Sequence, residues 1–212
     1  MVAPKDTRCS IRPKGSKGPG SSWEKLLGKL GENDILAPLR NIGLVFQYAP
    51  HLTFTTLANW SPQSFGHTNY SYNAWENSDV SEIMLASEFT AESEDEAKYM
   101  LAVIHFLKSA TKGGFGQNDG GRGVPPAVYN FNYLGNHQFK DVPVVITNVT
   151  LVYDNSIDYI PIVVAGKETL VPAHIGITIM IKPQYNPKTM IEEFTVSNFR
   201  KGTYLKTGGG LL

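Results

Sequence analysis

Imidazole titrates near neutrality and binds metals, so chemistry would be sought first at His51, His67, His105, His137 and His174. None stands at ligand spacing from another, and neither H-x-H nor H-E-x-x-H occurs. Cys9 is the single cysteine, with no cysteine or histidine close in sequence, and reads as an incidental free thiol. Glu92, Glu94, Asp95 and Glu96 could pair as acid and base. They also open a helical pattern, where acids complement the helix dipole and face water. Glu192 and Glu193 read likewise as a solvated helix face. The run GGFGQNDGGRG, residues 113–123, invites a phosphate-loop reading. It lacks the Gly-Lys-Ser/Thr end, does not match G-x-G-x-x-G, and follows a helix where a phosphate loop precedes one. No G-x-S-x-G elbow is present, though a triad dispersed along the chain would leave no such mark. The expectation is a protein that is not an enzyme, with no catalytic residues, no metal site and no cofactor.

Two stretches are better suited to binding. Trp60, Phe65, Tyr70, Tyr72 and Trp75 lie among Asn and Ser. They could stack on sugar rings, form a protein contact, or supply one packed face of a strand. Near the start of the chain Lys5, Arg8, Arg12, Lys14 and Lys17 stand against Asp6 alone. Such a segment could touch phosphates, but no aromatic residue precedes Trp23, and an assembly arm that orders on a neighbour fits better. With Arg122 in the glycine-rich loop, the candidate partner interface is Lys5, Arg8, Arg12, Lys14, Lys17, Trp23, Trp60, Trp75 and Arg122.

The elements that must hold these residues are mostly strands. Residues 1–33 read as a flexible basic arm, in which Trp23, Leu26, Leu27 and Leu30 recur at helical spacing before Gly31. Deleting residues 1–30 is therefore expected to leave the fold intact and to impair attachment to partners. Residues 34–205 form the domain, and 206–212 a flexible tail. Ile42, Leu44, Phe46 and Tyr48 fall on one face of a strand, and Leu52, Phe54 and Thr56 continue after Pro50. Residues 59–77 suggest a long loop or a bent hairpin, and residues 83–89 a strand.

Ser93 and Glu96 have capping-box spacing. Ala97, Met100, Leu101, Ile104 and Leu107 then form the stripe of a helix with one apolar face, stopped by Gly113 and Gly114. Strands are expected over 128–134, 144–153 and 158–164, with a turn over 135–141. Ile175, Ile177, Ile179 and Ile181 alternate at strict period two, which predicts a half-buried strand. Residues 190–199 read as a terminal helix. The total is six or seven strands: an α+β, mainly antiparallel β-sandwich or partly open barrel with one flanking α-helix.

Bulk composition agrees with a folded domain of one core. The chain has 212 residues, 42% hydrophobic and 18% charged, with formal net charge zero. That excludes a disordered chain and any overall field drawing it to nucleic acid or membrane. Weak charge also suggests a surface covered by partners. No apolar run approaches the ~20 residues of a membrane helix, and the basic start lacks the apolar core of a secretory signal, so synthesis and assembly in a cytoplasm are expected.

Four segments carry a family resemblance: SEFTAESEDEAKYMLAVIHFLKSATK (87–112), GVPPAVYNFNYLG (123–135), FKDVPVVITNVTLVYDNSIDYIPI (139–162) and VPAHIGITIMIKPQYNPKTMIEEF (171–194). In this order the chain resembles the tail-tube and baseplate tube-junction (tube-initiator) proteins of contractile-tailed phages over roughly residues 40–205. The most specific parts are Asp158-Tyr159-Ile160-Pro161, read as a turn, and Val171-Pro172 leading into the strand that ends Pro183-Gln184-Tyr185-Asn186-Pro187. The resemblance implies a tail-tube-like fold and a homo-hexameric ring, whose strands join into one barrel around a channel. That channel would hold the tape measure protein and pass DNA only as a transient passenger. It implies a structural virion protein of the tail or baseplate, between the hub and the tail-tube rings, with no membrane role. The basic arm and the glycine-rich loop depart from a plain tube subunit and suit a junction between unlike rings. The alternatives are a repeating tail-tube subunit, or a carbohydrate-binding β-sandwich using the aromatic stretch 60–75.

Overall fold

The computed structural model describes residues 8–14, 34–40, 43–114, 123–135 and 138–204. The first strands are β1 (Ser10–Pro13), β2 (Leu44–Val45), β3 (His51–Thr53), β4 (Thr56–Gln63), β5 (Tyr72–Val80) and β6 (Ile83–Thr90). Helix α1 (Glu94–Ala110) follows, then β7 (Tyr129–Tyr133), β8 (Phe139–Val152), β9 (Tyr159–Val164), β10 (Lys167–Pro172) and β11 (His174–Pro183). Two short helices, α2 (Pro187–Glu193) and α3 (Val196–Arg200), complete the order.

Seven strands form one antiparallel sheet in the order β2-β1-β7-β8-β11-β6-β3, and the hairpins β4–β5 and β9–β10 are separate two-stranded sheets. The protein is α+β and mainly antiparallel. The sheet ends in β2 and β3 and is not closed into a barrel, which is consistent with the expected β-sandwich.

One face of the sheet carries the core. Ile175, Ile177, Ile179 and Ile181 of β11 are buried there, beside Ile83, Leu85 and Phe89 of β6 and Tyr129 and Phe131 of β7. Ser93 caps α1, its hydroxyl accepting the Glu96 N–H, while the Glu96 carboxylate accepts the Glu92 N–H at 2.8 Å. The expected stripe faces the core, but Ala102, Val103, Phe106 and Ala110 are buried as well. The arc is wider than one face because the helix also packs against the 3-10 turn Ala37–Leu39 and the hairpin β9–β10. Burial of Ile162 and Val171 on that hairpin completes the layer.

Several sequence expectations need correction. The arm is not wholly separate: β1 pairs with β2 on one side and β7 on the other, with Ile11 opposite Leu44 and Phe131. Ile11 and Cys9 are fully buried. Removing residues 1–30 would therefore open the sheet, because a strand paired on both sides holds two ladders and a core side chain. Leu44, Val45 and Phe46 are buried in succession and Tyr48 is exposed, so period two does not hold there. The chain turns at Gly43, whose φ is +72°, and β2 is only two residues long. The stretch 59–77 is the hairpin alternative, residues 139–141 belong to β8 rather than a turn, and Tyr159–Pro161 is strand, as expected over 158–164, and not a turn. The terminal helix is two helices broken at Phe194. The amphipathic piece at residues 23–31 lies outside the described residues.

Candidate assembly surfaces

Side chains close some sheet edges and leave others open. At β2 the Tyr99 hydroxyl accepts the Val45 N–H and donates to the Val45 carbonyl, both at 2.8 Å. At the end of β6 the Gln47 amide does the same for Thr90, with both bonds at 2.9 Å. Each side chain takes the place of a neighbouring strand. No such cover, among the described residues, reaches β8 beyond Val144, where β7 stops, so residues 145–152 pair with β11 alone. The outer side of β3 is the other open edge.

These two edges belong to one ribbon, β8-β11-β6-β3, and lie at the same height. Val149 stands opposite Ile179, Ile179 opposite Leu85, and Leu85 opposite Leu52. The ribbon is antiparallel throughout, so β3 of one copy would meet β8 of the next in antiparallel sense. Its back face mixes apolar and polar side chains: Met84, Ala86, Val152 and Met180 stand among Thr53, Asn148, Thr150 and Thr178. His174 lies 3.3 Å from Glu88, and Lys182 3.5 Å from Asp79.

The β4–β5 hairpin leaves the body with both faces in solvent. Trp60 sits opposite Trp75 beside a register shift, and they are 58% and 57% exposed. Phe65, Tyr70 and Tyr72 are exposed toward its tip. A lone two-stranded ribbon is marginal in water, so this much open aromatic surface marks a contact site. At its base a cleft of about 880 Å³ opens between the hairpin and the C-terminal helices, lined by Leu57, Trp75, Val80, Met190, Phe194 and Phe199.

The expected interface residues do not gather at one place. Trp60 and Trp75 are brought together. Arg12 and Lys14 are exposed on and beside β1, and Arg8 lies near enough to Tyr99 to bear on its hydroxyl. Lys5, Lys17, Trp23 and Arg122 lie outside the described residues. The aromatic stretch is thus exposed rather than core. The two open edges and the cleft escaped the sequence reading; Met190, Phe194 and Phe199 were its only local signal.

The residues weighed for chemistry are dispersed. His51, His67 and His105 are exposed on separate elements, and His137 lies outside the described residues. Among the described residues no three His, Cys, Asp or Glu side chains are placed to hold a metal. Glu94 bonds Lys98 at 2.8 Å, which lowers the Glu94 carboxyl pKa and raises that of the Lys98 ammonium. Asp154 is held low by the Ser156 N–H and hydroxyl. Burial pushes the Cys9 thiol up, and so disfavours a reactive thiolate. No described helix is long and apolar enough to cross a membrane. The chain matches no family model and no curated protein.

Proposed function

We propose that this protein is a structural, non-enzymatic ring subunit, and that the ring belongs to the inner tube at the baseplate–tail tube junction of a contractile phage tail. The observation that carries the ring is the ribbon β8-β11-β6-β3, with two edges at one height left unpaired among the described residues. Two different open edges favour a heterologous contact, which generates a ring where the rotation closes. Closure pairs the two edges of the ribbon with each other and turns its back face onto a continuous wall. The phage assignment rests on the resemblance of the four segments. It carries with it a homo-hexamer, the tape measure protein and neighbouring hub and tube rings as partners, and the virion as location.

Labelling tails with a gold-conjugated antibody against this chain tests the assignment. Gold at the baseplate end of the tube is expected. Gold along the whole tube would make the chain a repeating tube subunit, and unlabelled tails would overturn the assignment. The exposed Trp60–Trp75 pair also suits a sugar ring; a change in tryptophan fluorescence on titration with sugars would favour that second reading.

A further inference from the structure

The apolar cleft and the aromatic tip of the β4–β5 hairpin are complementary surfaces of the same chain. The cleft runs along one side of the hairpin from its foot at Leu57 and Val80 up to Trp75. At ~3.3 Å per residue the tip stands roughly 26 Å from that foot, so a hairpin cannot fill its own cleft. A neighbour's can. The ribbon β8-β11-β6-β3 gives a repeat of about 19 Å per copy at ~4.8 Å per strand, within reach of the hairpin.

The chemistry matches too. Residues 61–74 contain no Asp, Glu, Lys or Arg, and His67 is their one histidine, so seating the tip buries no carboxylate, ammonium or guanidinium on its side. Phe65 and Tyr70, 64% and 86% exposed, are aromatic anchors of the kind that fill apolar clefts. Asp79 is the acid lining the cleft, and Lys182 already pairs with it.

We propose that the tip of one copy's β4–β5 hairpin seats in the cleft of the adjacent copy in the ring, as a second contact beside the strand edges. This rests on the ring reading above. The test mixes two full-length variants, Ser64→Cys at the tip and Ser78→Cys in the cleft, under mild oxidation, with each variant alone as control. Both serines are exposed, so neither change threatens the fold, and Cys9 is buried. A disulfide-linked dimer formed in the mixture, well above either control, is expected. Adding Phe65→Ala and Tyr70→Ala to the tip variant should cut its yield about tenfold or more. The same samples, mixed with the baseplate or tube partners, are imaged for rings. Rings with the mixed dimer support the proposal. Rings without it overturn the tip contact and leave the ring reading standing. Mixed dimer without rings supports the contact and overturns the ring. Neither rings nor dimer overturns both.

Discussion

Tyr99 and Tyr129 are both buried tyrosines with opposite circumstances. The Tyr99 hydroxyl makes two bonds to Val45 and so holds β2 to α1. Tyr99→Phe would strand a backbone N–H and carbonyl, and a loss of ~1–3 kcal/mol in denaturant unfolding is expected. The Tyr129 ring packs edge-on against Phe106, but its hydroxyl has no hydrogen-bond partner among the described residues. Tyr129→Phe keeps the ring and removes the unpaired group, so stability at pH 7 should hold or rise by ~1 kcal/mol. Burial pushes the Tyr129 hydroxyl up to about 12 from 10.0. The raised folded value means its contribution is complete below pH 10 and is lost as pH rises through about 12. Unfolding curves across that window should fall less steeply for Tyr129→Phe than for the parent. An identical slope would contradict the role given to Tyr129. Gly43 shows the reverse constraint: with φ +72°, an added Cβ would lie 2.8 Å from the Ile11 carbonyl, which only glycine avoids.

Elements differ in how far their own residues announce them. β11 and α1 were legible because their patterns are local: four isoleucines at period two, and an acid-started apolar stripe behind Ser93. β1 was not, because Ser-Ile-Arg-Pro offers one core side chain and gains its ladders from Leu44 and Phe131, far away in sequence. β10 was hidden by Lys167 and Glu168 on its exposed end and by the tight Ala165-Gly166 turn, both residues at positive φ. At the candidate site the aromatic stretch was legible, while the open edges were not, since an edge is a fact of strand order. Two outcomes follow at this scale. Deleting residues 1–14 removes β1 and should abolish cooperative unfolding; a deletion variant with unchanged melting would return the segment to a dispensable arm. Trp60→Ala with Trp75→Ala should leave the melting temperature nearly unchanged, because both rings are already in solvent, yet weaken self-association. A large drop in melting temperature would make the pair part of the fold instead.

At the scale of the whole molecule, one observation links fold to assembly. One face of the sheet carries the core, and among the described residues its ribbon is open along two edges at the same height. A monomer in this state exposes unpaired strand edges and an aromatic hairpin, both hazards in solution. Head-to-tail pairing of β3 with β8 would remove the first, and a seat for the hairpin tip in a neighbour's cleft would remove the second. The most direct measurement is negative-stain electron microscopy of the purified protein mixed with its baseplate or tube partners. Six-fold rings with a central hole are the expected result. A protein that stays monomeric with those partners present would contradict the ring and the function built on it.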